Sequence, residues 1–461
     1  MELLINTETE CGTERLLTKS VQEIIDKMNT GDVLVFPKGN YILSTVYLKS
    51  GITLRLEKGC EILGSENFED YDRDEKVDYP LYQDASHSFF HCSMFVGENI
   101  EDVAIEGDGV IDMRSVWDEK NVRNMAHRGA KCIALKNCKN VKLVGFTVKN
   151  CTDLAVYFAG CENVEVRGLR VKTYIDGISP DNCKNVHIRG CDVESGDDGI
   201  VFKSSYTLNR LETCERINVE NCEIRSRCNA IKFGTETNGG FSDIAVENVK
   251  ISDTRLAGIA VESVDGAVVN SLKFKNISMK NVGTPFFIHL GDRMRGPQGR
   301  KIGKISNILF ENIVATGEYR GYEIMPWNYN SYLADDRMQY PWIIGTAENF
   351  NGKNEKNGAW QITSNCCGLR GFYLENITFK NIVLELWGGA KSISRAVSEK
   401  AQDYPEIYVY GTDLPAKGVY FRHINGLTLD NFVVKTINFD VREDFIFDDV
   451  KNLSLNRQVV K

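Results

Sequence analysis

Residues 140–150 read NVKLVGFTVKN, residues 163–173 read NVEVRGLRVKT and residues 185–195 read NVHIRGCDVES. Each is an Asn, an apolar–polar–apolar run, a polar or glycine turn, and a second apolar–polar–apolar run. Period-two alternation places Val141 and Leu143, Val164 and Val166, or Val186 and Ile188 on one face of an extended strand. A unit this short cannot bury that face by itself, so copies must stack. Further copies begin at Ile217, Asp243, Ser271, Asn307, Gly371, Gly426 and Asn452. The first apolar residues, Val141, Val164, Val186, Ile217, Ile244, Leu272, Ile308, Phe372, Leu427 and Leu453, are 23, 22, 31, 27, 28, 36, 64, 55 and 26 residues apart.

The β-branched, period-two pattern excludes leucine-rich and helical repeats. It predicts an all-β right-handed parallel β-helix, a single solenoid domain over residues 1–461, with matched Asn side chains in an internal stack. The two long steps mark insertions at 311–370 and 380–422, the first carrying Trp327, Trp342 and Trp360. Ser20 to Met28 has apolar residues at helical spacing and a Ser20/Glu23 capping box, so a capping helix is expected over 20–28. Strands are expected at Asp32 to Pro37, Thr45 to Leu48, Ile52 to Leu56 and Glu61 to Leu63, followed by an irregular loop from Asn67 to Ser93.

The formal net charge of −9 over 461 residues argues against a nucleic-acid partner. No apolar run reaches membrane-span length, so no membrane partner is expected. The N-terminal MELLINTETECGTERLL lacks a basic segment followed by an apolar stretch, which predicts a cytoplasmic protein, or a secreted one if a leader has been removed. The oligomeric state is open. Fourteen cysteines include no C-x-x-C pair, and no dense cluster of oxygen ligands stands out, so neither metal nor cofactor is expected. Cys138, Cys161, Cys183 and Cys214 share one repeat phase, and Cys191 and Cys222 another. They read as stacked buried thiols, the alternative being disulfides in an oxidising compartment.

The chemistry is expected in residues 174–204, where Asp176, Asp197 and Asp198 sit among glycines 177, 196 and 199. Asp176 and Asp197 are about one repeat apart, which puts them on neighbouring turns. Paired carboxylates suit glycosidic cleavage, one protonated as acid and one ionised as base or nucleophile. Mutual repulsion keeps one of them protonated near neutrality. A plain polar turn is the alternative reading of Gly-Asp-Asp-Gly.

The chain resembles glycoside hydrolase family 28, the polygalacturonase and rhamnogalacturonase family, from GDVLVFPKGNYILSTVYLKSGITLRLEKGCEILGS (31–65) through GVIDM (109–113) to the repeats. The family's Asn-Thr-Asp-Gly stands here as Tyr174-Ile175-Asp176-Gly177. Its Asp-Asp is Asp197-Asp198, followed by Lys203. The resemblance implies Asp197 as general acid, Asp176 and Asp198 as the pair that deprotonates water, and inversion at the anomeric carbon. Two motifs depart: Cys228-Asn229-Ala230 replaces Gly-His-Gly, and Ala260-Val261-Glu262 replaces the Arg-Ile-Lys that grips a galacturonate. Glu262 should repel a uronate, which points to a neutral sugar such as rhamnose on the leaving-group side. Tyr174, Lys203, Lys232, Glu236, Glu262, Arg293 and Arg128 are the expected substrate contacts, with Arg295 and His127 beside them, and His289 reads as a satisfied strand histidine. The expected activity is an inverting glycosidase acting on oligosaccharides or polysaccharides derived from pectin, from the chain end. A β-helix lyase or epimerase and a non-catalytic carbohydrate-binding solenoid are the alternatives.

Overall fold

The computed structural model describes residues 1–5, 12–116, 129–317, 363–393, 397–410 and 414–456. The chain divides into two compact units, Met1–Cys222 and Glu223–Lys461. Both are built as a right-handed parallel β-helix.

In the first unit three strands make a turn, and successive turns form three parallel ladders. One ladder runs Ser93–Glu98, Lys131–Lys136, Val156–Ala159, Ile178–Asp181, Ile200–Ser204. The second includes Glu101–Gly107, Lys139–Val144, Glu162–Arg167, Lys184–Arg189 and Cys214–Glu220. The third includes Val110–Asp112, Thr147–Lys149, Arg170–Thr173 and Asp192–Ser195. The repeat register is the one the alternation requires: Val141 pairs with Val164, Val164 with Val186, and Val186 with Ile217. These side chains are buried, and each contributes about 1.5–3 kcal/mol by leaving water.

The matched Asn residues stack, but outside the coil. Asn163 Nδ2 donates to Asn140 Oδ1 at 3.1 Å and Asn185 Nδ2 to Asn163 Oδ1 at 3.1 Å, with Asn140 and Asn163 exposed and Asn185 half-buried. Their φ angles of 55–58° place them in the left-handed turn that opens each strand. Asn tolerates that conformation, and its side chain then points away from the apolar interior. What stacks inside is thiol and hydrocarbon. Cys138, Cys161, Cys183 and Cys214 are buried and unbridged. Cys138 and Cys183 donate to the carbonyls of Gly97 and Phe158 at 3.3 and 3.2 Å.

The N-terminal helix spans Thr18–Lys27 and buries Val21 and Ile25. The expected Ser20/Glu23 capping box is not formed, and no side chain caps this helix. Helical turns begin two residues earlier, because Thr18 Oγ1 accepts the amide of Ser44 at 2.8 Å and ties the start of the helix to the coil. That leaves Ser20 inside the first turn. The Asn67 to Ser93 stretch is irregular apart from the short 3₁₀ turns Phe68–Asp70 and Ala85–His87.

The second unit has longer strands, paired in the order Gly240–Glu247, Val268–Leu290, Lys304–Thr316, Leu374–Gly388, Ala416–Asn438, Glu443–Asn456. Phe274, Phe310 and Phe379 stack face to face along it, with centroids 5.0 and 4.6 Å apart. One repeat assignment is corrected: Ile308 pairs with Ile377, not Phe372, and Phe372 is 45% exposed. The excursions also begin later than the sequence suggested. Lys304–Thr316 and Leu374–Gly388 are still strand, so the first departs after Thr316 and the second lies between Gly388 and Ala416. Trp327, Trp342 and Trp360 fall outside the described residues. Among the described residues no helix is long and apolar enough to cross a membrane.

Candidate active site

The acidic residues of the first unit occupy the corner that follows the Arg170–Thr173 and Asp192–Ser195 strands. Ile178 pairs with Ile200, so Asp176 and Asp198 stand at matched positions 22 residues apart. Asp197 is offset by one, its amide 3.5 Å from the Ile175 carbonyl. The expected rung partner of Asp176 is therefore Asp198 rather than Asp197. The corner is closed by Gly177 N–H donating to the Asp198 carbonyl at 3.0 Å and Ile178 N–H to the Gly199 carbonyl at 3.0 Å. A Cβ at 177 would lie 2.5 Å from the Gly199 oxygen and 2.5 Å from Val193, so only glycine allows the turns to pack this closely.

Asp176 and Asp198 are buried and Asp197 is half-buried. Oxygens of Asp197 and Asp198 lie within 4.8 Å of each other. The adjacent pair thus points one way, because both residues sit at a bend and not on a strand. Asp198 N–H donates to Asp176 Oδ1 at 3.2 Å, and Lys203 Nζ lies 3.8 Å from Asp176 Oδ2. Burial pushes the Asp176 carboxyl up to about 7; Lys203 opposes that rise, Asp197 and Asp198 add to it, and His87 opposes it. Tyr174 accepts a hydrogen bond from Ser115 Oγ at 3.0 Å and packs beside Ile175. Asp181, register partner of Lys203, is also raised by burial and is held by Ser205 and Tyr157.

Sequence reasoning missed His87. It comes from the irregular loop, where no repeat phase marks it; the signal available was the Asp-x-x-His spacing of Asp84 and His87. Its Nδ1 is 2.5 Å from Asp84 Oδ1 and its Nε2 is 4.0 Å from Asp176 Oδ2.

The second unit gathers the remaining expected contacts. Lys232, almost fully buried, is bonded to Glu406 and lies 3.9 Å from Glu262, which is fully buried. Asn229, in the departed Cys-Asn-Ala motif, donates to Glu406 at 3.1 Å and accepts the amide of Ala257 at 3.0 Å. Arg293 is held by Asp265 at 2.5 Å and by the Thr235 carbonyl at 2.7 Å. Arg295 bonds Glu236 at 2.5 Å. Glu406 and Asp265 were not foreseen. His289 is buried, 3.1 Å from the Tyr410 hydroxyl, and burial lowers it to about 4, which keeps it neutral. Arg128 and His127 lie outside the described residues.

Fold and site together define a parallel β-helix with a carboxylate cluster on one corner. The chain belongs to glycosyl hydrolases family 28, whose profile matches residues 28–325. It is similar to an exo-poly-α-D-galacturonosidase of Dickeya chrysanthemi, 23% identical over 320 residues covering 58% of this chain and 53% of that protein. It is also similar to an endo-polygalacturonase of Pectobacterium parmentieri, 22% identical over 332 residues covering 67% and 79%. The chain thus spans about half the length of the Dickeya relative. Among solved structures, the family 28 exopolygalacturonase of Yersinia enterocolitica matches with a TM-score of 0.71 at 18% identity, covering 100% of this chain and 79% of that one. The exopolygalacturonase of Thermotoga maritima matches with a TM-score of 0.64 at 18% identity, covering 85% and 88%.

Proposed function

We propose that this protein is an inverting glycosidase that removes sugars from the ends of pectin-derived oligosaccharides. The observation that carries this reading is the corner of Asp176, Asp197 and Asp198, with Lys203 against the buried Asp176. In it Asp197, the most accessible of the three, protonates the leaving oxygen. Asp176 and Asp198, tied by the 3.2 Å amide contact, hold the water and take its proton. The closest approach of Asp197 and Asp198, within 4.8 Å, is shorter than the ~5–5.5 Å typical of retaining pairs and the ~6.5–9.5 Å of inverting ones. Spacing therefore does not choose the stereochemistry, and inversion rests on the family resemblance.

The sugar held by the second unit is a neutral one. The three cations offered there for a uronate each have a carboxylate already: Lys232 has Glu406 and Glu262, Arg293 has Asp265, and Arg295 has Glu236. Buried carboxylates favour hydroxyl donors over a second anion. The names of the relatives, which include an exo- and an endo-acting galacturonide hydrolase, support pectic substrates. A panel of defined pectic oligosaccharides, including rhamnogalacturonan fragments, tests this. Release of terminal sugars is expected, and mid-chain cuts would refute end-on action.

A further inference from the structure

We propose that His87 is a positioning residue of the acid corner: oriented by Asp84, its imidazolium faces Asp176 and keeps that carboxylate ionised, ready to accept the proton of the attacking water. The inference rests on the reading of Asp176 as a base.

The geometry is specific. His87 ends the 3₁₀ turn Ala85–His87, and its amide donates to the Asp84 carbonyl at 3.2 Å. Asp84 thereby stands within 2.5 Å of Nδ1, and the opposite ring nitrogen is left facing Asp176 at 4.0 Å. Tyr157 meets the ring edge-on at 5.9 Å and donates its hydroxyl to the His87 carbonyl at 3.1 Å, so the imidazole is held from a third side. The ring is buried.

A carboxylate on one imidazole nitrogen fixes the ring's orientation and favours its protonated form. The charges around the site explain why a second cation is needed. Asp176 is faced by Asp197, Asp198, Lys203 and His87; His87 is faced by Asp84, Asp176 and Asp181. The two cations that face Asp176 are Lys203 and an imidazolium at His87, and both favour its ionised form. A neutral ring would leave the buried Asp176 to retain its own proton, and a protonated Asp176 cannot act as a base.

The test is the pH profile of kcat/KM on the best oligosaccharide of the panel, for wild type, His87→Gln, His87→Lys and Asp84→Asn. In His87→Gln the ascending acid-side limb moves to higher pH by about one unit, with about tenfold lower activity on that limb and recovery on the alkaline side. Asp84→Asn shifts the limb the same way by less. His87→Lys, which keeps a cation, leaves it at or below the wild-type position. A uniform loss with an unmoved limb, or an unchanged profile in His87→Gln, overturns the proposal. Should the wild type hydrolyse nothing on the panel, the glycosidase reading fails by itself. The His87 proposal is then decided by carboxyl-carbon NMR of isotope-labelled aspartate: an upward-shifted Asp176 titration in His87→Gln supports it, and an unmoved one overturns it.

Discussion

Asp198 donates its backbone N–H to Oδ1 of Asp176 across 3.2 Å. One turn of the coil therefore fixes the orientation of a carboxylate on the turn before it, and the same register leaves Asp197 one position out of step and more accessible. Two of the acids are buried in the stack, and the third, half-buried, is the one a leaving group can reach. The asymmetry comes from backbone register.

Asp197→Asn removes the transferable proton and leaves the corner's backbone unchanged. Hydrolysis should fall about 10²–10⁴-fold in kcat with little change in KM. Steady-state kinetics beside circular dichroism separates this from misfolding, since the variant's spectrum should match wild type.

Asp176 should cost stability at the pH where it works. Its carboxyl is raised to about 7 by burial first, against the opposing charge of Lys203. A raised carboxyl favours folding while protonated, and that contribution is lost as pH climbs from the unfolded value, near 4, through 7. Asp176→Asn, which never ionises, should therefore melt higher than wild type at pH 8, by roughly 2–4 kcal/mol of relative stability. The difference should shrink towards pH 4. Melting curves across that range check it, and a gap that is constant with pH would contradict it.

Glu406→Gln should free the charge of Lys232, since Glu406 is its bonded carboxylate and Glu262 lies farther off at 3.9 Å. KM for uronate-terminated oligosaccharides should drop about 3–10-fold relative to neutral-terminated ones. The ratio of the two KM values is the measurement.

The external Asn ladder can be tested at Asn163, which has φ 58° and bonds both Asn140 and Asn185. Asn163→Ala should cost about 1–3 kcal/mol, through lost amide bonds and left-handed strain. Asn163→Gly should cost about 1 kcal/mol less than the alanine variant, because it carries no Cβ to strain. Urea melts of the two variants separate these contributions.

The coil was legible because each turn repeats one local rule: Asn in the left-handed turn, then Val or Ile alternating inward. Gly371-Phe372-Tyr373-Leu374 alternates as well as Asn376-Ile377-Thr378-Phe379 does, and both open on a positive-φ residue, Gly371 at 82° and Asn376 at 55°, so the pattern alone does not tell them apart. Matching positions reveal that the Asn side chains stack, but not which way a positive-φ side chain points, so their place outside the coil is seen only in the structure. Repeat spacing does not resolve a one-residue offset at a corner, so it points to Asp197 where the register matches Asp198 to Asp176. The contacts of His87 and Glu406 are hidden for another reason, although the Asp84-x-x-His87 spacing marks the first of them as a pair. Both residues reach Asp176 and Lys232 from non-repeating segments, Glu406 from 174 residues away in sequence, and no local pattern encodes such a contact.

The most direct test is a proton-NMR time course of the anomeric signal during hydrolysis of the best pectic oligosaccharide, run with wild type and Asp197→Asn side by side. The account predicts that wild type first releases sugar with the opposite anomeric configuration, and that Asp197→Asn releases none over the same time. First-formed product of retained configuration, unsaturated ultraviolet-absorbing product, or undiminished release by Asp197→Asn would contradict it.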